Sequence, residues 1–282
     1  MDFSALAQNL IATTQSDVAL GVERFHELCP DLVAQIGRDA TRMGPLSFWG
    51  RSINFDELAN QTIVDSAIIQ LLSQISGKKL SRKWPHAGLQ HTYGYLLSLI
   101  QTPYGMKRDR WIDTSLETAF GLNHSVLSPV PNEGTLLSNA TWLAGQIAFR
   151  GNEANQNWLR SYLTGKCSSE LDAISFCDLP QNRIVETVHG KNDSSNKIWS
   201  LQTDLVPFPT DSTISLLVYS VREETSGKHS LMTLFPAGQE TQQELLARTE
   251  VACRDDIRLR FNAYVPALAG HVLNGTCELV AF

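Results

Sequence analysis

The sequence predicts an α+β protein: a helical N-terminal half packed on a mainly antiparallel C-terminal β-sheet. Three observations carry this expectation. Apolar residues recur at helical spacing through residues 1–166, the hallmark of amphipathic helices. The stretch Ile198–Pro236 instead shows strand patterning around a polar turn. Within residues 167–282 a single helical pattern, near 239–253, interrupts several strands, which fits a sheet backed by helices. The division is drawn through the irregular segment Cys167–Pro180, and the two regions are equally compatible with one continuous domain.

Composition narrows the class. The chain has 282 residues, 43% hydrophobic and 18% charged, values of a globular protein. A net charge of −6 and a pI near 5.6 argue against a general nucleic-acid binder. The first residues lack a basic n-region and a long apolar core, no apolar run approaches a membrane span, and the five cysteines are scattered. Reduced thiols and a cytoplasmic location are the expectation.

In chain order, Ser16 is a candidate N-cap for a helix carrying Val18, Val22 and Phe25, and Pro30 opens the next at its first position. Asn54-Phe55-Asp56-Glu57 resembles a capping box ahead of the stripe Val64, Ile68, Leu71 and Ile75, which Gly77 ends. The basic connector Lys78, Lys79, Arg82 and Lys83 follows. Pro85 opens a helix with Leu89, Tyr93, Leu96, Leu97 and Ile100 inward. At about 100° per residue His86 falls at the edge of that stripe and His91 on the opposite face. The loop Tyr104–Trp111 is a second basic cluster, with cations and aromatic rings interleaved. Residues 136–147 read as a helix, with a strand as the alternative, and Trp158–Leu163 as a short helix.

In the second half Arg183–His189 reads as a strand carrying Glu186 between Ile184 and Val188. Ile198–Val206 alternates, with Ser200, Gln202 and Asp204 on its polar parity. Ile214–Val221 is apolar on both parities and therefore covered on both sides. Gly227 supplies the positive φ of the hairpin to Ser230–Phe235. Asp256–Val265 reads as a strand with Arg258, Arg260, Asn262 and Tyr264 on one face, and Asn274–Phe282 as a turn and closing strand.

That Arg258/Arg260/Asn262 row is the leading ligand-binding candidate, because guanidinium groups hold carboxylates and phosphates in paired hydrogen bonds. Glu186, Asp204, Tyr264 and His86 are the candidate catalytic acids and bases. The competing reading leaves the arginines solvated or paired with cross-strand acids. No pair of histidines has a metal-ligand spacing, and no P-loop, G-x-G-x-x-G or G-x-S-x-G motif occurs, so neither a metal nor a cofactor is expected. The function expected is an enzyme or binding protein for a small anionic organic molecule, using acid–base chemistry. The alternative is a non-catalytic adaptor holding a protein partner through the Lys107–Trp111 loop. Oligomeric state is left open.

Overall fold

The computed structural model describes residues 1–102, 105–190, 197–249, 251, 258–268 and 274–282. Tyr104, the polar connector at 191–196, Cys253, Asp256, Ile257 and His271 lie outside the described residues. The principal helices are α1 (Phe3–Ser16), α2 (Val18–Leu28), α3 (Pro30–Asp39), α4 (Ser66–Ser76), α5 (Leu136–Ala148), α6 (Glu153–Leu163) and α7 (Gln239–Leu246). The main strands are β1 (Asn182–Gly190), β2 (Lys197–Pro207), β3 (Ser215–Glu223), β4 (His229–Ala237) and β5 (Asn274–Ala281). They form one five-stranded antiparallel sheet in the order β4-β3-β2-β1-β5. The architecture is α+β, with most helices ahead of the sheet, as the periodicities predict. Among the described residues, no helix is long and apolar enough to cross a membrane.

Helix boundaries follow local chemistry. Asp2 accepts the Ser4 and Ala5 amides and opens α1, a helix the sequence reading did not assign. Asp17, one residue after the expected Ser16, caps α2 through the Ala19 amide. Pro30 stands at the start of α3. Asp65 caps α4, whereas Asn54 staples a loop by exchanging two hydrogen bonds with the Val64 backbone. Thr135 and Ser138 form the capping box of α5, which is buried along its whole length. Its polar side chains are satisfied there, Asn139 by the Val126 and Glu133 carbonyls and the Ser168 amide, and Thr141 by the Trp49 indole, and residues 136–147 are thus helix. Helix α7 stops at Leu246, short of the expected Cys253; Leu245 is buried while Leu246 is exposed.

The sheet is covered on both faces. Val206, Leu216, Val218, Leu231 and Leu234 join the core built by the N-terminal helices, which therefore crosses from one half of the chain into the other. Ile184, Val188, Leu201, Leu217 and Tyr219 face the opposite way and pack under Leu245, Leu259, Val265 and Leu268. The polar parity of β2 is consequently not a solvated face. Gln202 and Asp204 are buried against the end of α5.

Two segments depart from the expected geometry. Over the described residues 258–265 the chain is not a continuous strand: Arg260–Asn262 is a 3-10 turn, Arg258 bridges back to Tyr264, and Ala263–Tyr264 pairs with Arg51–Ser52. Phe261 and Asn262 have φ of 54° and 61°. Positive φ reverses the direction of an extended chain, so alternation no longer places side chains on a common face. The segment after Pro85 is helical from Ala87, but Gln90–Gly94 is a π-helical turn. Its wider turn abolishes the 100° step, and His91 is buried, hydrogen-bonded through Nε2 to Ser52 Oγ at 3.2 Å.

Candidate functional site

Several residues singled out from the sequence are held by partners inside the fold. Asp204 accepts Arg183 Nε at 2.6 Å, Gln181 Nε2 at 2.6 Å and Gln202 Nε2 at 2.7 Å. Burial raises its carboxyl above the usual range, against the opposing pull of Arg183 and the two amides. Arg183 also donates to the Ile147, Ala148 and Arg150 carbonyls, so the network ties the sheet to the end of α5. Glu186 lies on the other face of the sheet, fully buried, where it accepts Arg260 Nη2 at 2.5 Å. Arg258 instead pairs with Glu57, and Asn262 Nδ2 donates to the Phe55 carbonyl at 3.0 Å. Among the described residues the two arginines thus have carboxylate partners on different parts of the chain. Asp204 and Glu186, on opposite faces, do not converge.

The Lys107–Trp111 loop is likewise engaged internally. Lys107 Nζ lies 2.8 Å from Asp56, and Arg108 donates to the Ser98 carbonyl. Arg110 donates to the Leu234 carbonyl and lies over the Tyr95 and Phe235 rings. Trp111 is buried with Nε1 donating to the His91 carbonyl at 2.7 Å. A loop anchored at these four positions offers little of the freely projecting surface an adaptor would use.

His86 and Tyr264 lead elsewhere. Arg51 bridges His86 on one side and pairs in register with Tyr264 on the other, bringing three distant chain segments together. Tyr264 stacks on Trp84 with ring centroids 4.5 Å apart and planes 14° from parallel. Lys83 Nζ lies over the Trp84 ring, 4.8 Å from its centroid. His86 and Trp84 line a cleft of about 490 Å³. Four cations line it as well: Arg42, Arg51, Lys78 and Lys79. Thr41, Ser47 and Ser81 supply hydroxyls, and Leu46 and Leu80 supply apolar wall.

Each wall has a local cause. Thr41 and Arg42 follow the end of α3, and Gly44 and Pro45 turn the chain into the 3-10 turn that carries Leu46 and Ser47. Gly77, at φ 61°, is the left-handed C-cap that ends α4 and throws Lys78 and Lys79 outward. Ser73 fixes the turn after it, donating to the Lys78 carbonyl and accepting the Leu80 amide.

The electrostatics of this cleft are one-sided. No carboxylate lines it, and none of its four cations pairs with a carboxylate among the described residues. All four are exposed, so water rather than protein solvates them. His86 responds to these neighbours. Burial, aided by the Arg51 and Lys78 charges and only partly offset by the Leu46 carbonyl, lowers its pKa to about 4. The imidazole is therefore neutral at pH 7, and its buried Nδ1 has no hydrogen-bond partner among the described residues. The local potential of such a cleft is positive, and a histidine beside it gains a proton most readily when negative charge offsets its neighbours.

Sequence reasoning found His86 and the Lys78–Lys83 run but missed Arg42 and Arg51. The missing signal was the absence of acidic partners, which only the fold reveals. Among the described residues no cluster of three or more histidine, cysteine, aspartate or glutamate side chains has metal-binding geometry. Comparison with family models, curated proteins and solved structures finds no match to this chain.

Proposed function

We propose that the chain binds a small organic anion in the Arg42–Arg51–Lys78–Lys79 cleft, with His86 as its acid–base group. The observation that carries this reading is the convergence of four cations without a carboxylate partner on one concavity. In an acidic protein, cations that could pair with abundant Asp and Glu are here left facing open space. The cleft volume also falls in the range typical of small-molecule sites. In this reading the arginines orient the anion, the lysines add charge, and neutral His86 accepts a proton from the bound molecule or its water. Tyr264 takes part indirectly, by holding Trp84 in the wall. Glu186, Asp204, Arg258, Arg260 and Asn262 serve the fold through the partners described above.

The test is thermal stabilisation and calorimetric titration with a panel of organic anions, at low and high salt. A hydrogen bond to a charged group contributes about 1.5–3 kcal/mol, and 1.4 kcal/mol is tenfold in affinity. Replacing Arg42 and Arg51 together by Gln is expected to weaken binding roughly a hundredfold while the circular dichroism spectrum stays unchanged. Anion binding that survives the double substitution would remove this cleft from consideration.

A further inference from the structure

We propose that the anion is a phosphate monoester of a small aliphatic or sugar alcohol, rather than a carboxylate or a nucleotide. This inference rests on the anion-binding reading of the cleft and narrows its ligand class.

Charge is the first argument. Arg42, Arg51, Lys78 and Lys79 bring four positive charges to the cleft with no acid among its lining residues. A monocarboxylate offsets one of them. A phosphate monoester carries close to two negative charges at neutral pH and presents three strong acceptor oxygens.

Hydrogen-bond capacity is the second. Each guanidinium brings five N–H donors and each ammonium three, with no acceptors. The hydroxyls add to this excess unequally. Ser47 donates its proton to the Gly44 carbonyl, whereas Ser81 accepts the Trp84 amide and so keeps its own proton free. The lining is thus rich in donors, which suits a group with three acceptor oxygens better than one with two. Arginine pairs with two phosphate oxygens at once, and lysine acts as a point charge toward a third.

The wall decides what the phosphate is attached to. Leu46 and Leu80 give a carbon skeleton an apolar surface. Trp84 already has ring partners within the protein: Tyr264 stacks on the indole, and the Lys83 ammonium lies 4.8 Å from its centroid. A nucleobase would compete with them for the ring, whereas a short chain or a sugar needs no stacking face.

Isothermal titration at low ionic strength with four probes tests this: glycerol 3-phosphate, inorganic phosphate, citrate and adenosine monophosphate. Glycerol 3-phosphate is expected to bind roughly tenfold or more tightly than citrate, despite the higher charge of citrate. It is also expected to bind more tightly than inorganic phosphate or adenosine monophosphate, and Ser81→Ala should weaken it without affecting citrate. Citrate binding as well as glycerol 3-phosphate overturns the phosphate assignment and leaves the anion site standing. Adenosine monophosphate or bare phosphate binding more tightly overturns the aliphatic-ester assignment. Failure of all four overturns both this inference and the reading on which it rests.

Discussion

Replacing Arg183 by Met isolates the energetics of the buried network under the sheet. The substitution keeps an apolar stem but removes four hydrogen bonds: one to Asp204 at 2.6 Å, and three to the Arg150, Ile147 and Ala148 carbonyls at 2.8–3.2 Å. It also leaves Asp204, which is fully buried, facing only the Gln181 and Gln202 amides. Deleting one member of a buried ion pair costs about 3–5 kcal/mol, because the surviving charge is stranded in a poorly polarisable interior. For a chain of this size class that corresponds to a fall in melting temperature of roughly 10 °C. The cost must also depend on pH. Burial already raises the Asp204 carboxyl, and losing Arg183 raises it further. A carboxyl whose folded pKa exceeds its unfolded value contributes stability below the unfolded value, and that contribution is lost as pH rises through the folded one. The gap between wild type and variant should therefore narrow on acidification, as Asp204 takes up a proton. Urea denaturation across a pH series measures both effects. In the double variant with Asp204→Asn the two losses should be less than additive, since one interaction serves both residues. A loss below about 1 kcal/mol, or one independent of pH, would refute the claim that this pair locks the sheet to α5.

Asp39 and Trp111 supply two further predictions. Asp39, buried between Tyr93 Oη at 2.5 Å and Thr135 Oγ1 at 2.7 Å, has its pKa raised to about 6, chiefly by burial. Its folded value lies above the unfolded one, so wild-type stability should decline from about pH 4 to pH 6 by roughly 3 kcal/mol relative to Asp39→Asn. Parallel denaturation curves for the two proteins would contradict the burial of this carboxyl. Trp111→Phe retains an aromatic ring but leaves the buried His91 carbonyl without its donor, at a cost of about 1–3 kcal/mol. An unchanged denaturation midpoint would return the loop to the solvent-facing role expected of an adaptor.

The strands were legible because their signals are local. Ile214–Val221 is apolar on both parities, and β3 is covered on both faces. Gly227 at the hairpin has φ of 68°, as its position demanded. The segment at 258–264 was misread because alternation assumes extended backbone throughout, and two residues of positive φ break that assumption without any glycine to announce them. His91 was misplaced for a related reason: a π-helical turn changes the angular step while leaving composition untouched. Of the candidate site, only the parts contiguous in sequence were visible. Lys78, Lys79 and His86 stand close together along the chain, whereas Arg42 and Arg51 reach the cleft through the end of α3 and the pairing of Arg51 with Tyr264.

How the fold distributes its cations is why the proposed anion site falls in the cleft and not at Arg258 and Arg260. Arg258 and Arg260 are largely withdrawn from water, and each has a carboxylate against it, Glu57 and Glu186 respectively. Recruiting either for a ligand would mean breaking that pair, and for Arg260 it would strand the fully buried Glu186. Arg42, Arg51, Lys78 and Lys79 are in the reverse situation. They are hydrated, so their mutual repulsion is screened and their clustering costs the folded state little. An arriving anion breaks no internal pair and lowers the remaining repulsion. Such an interaction weakens with salt, since counterions screen the same exposed charges before the ligand arrives. A salt-sensitive affinity is thus the signature that separates binding at the cleft from binding at the buried arginines, where screening by ions hardly reaches.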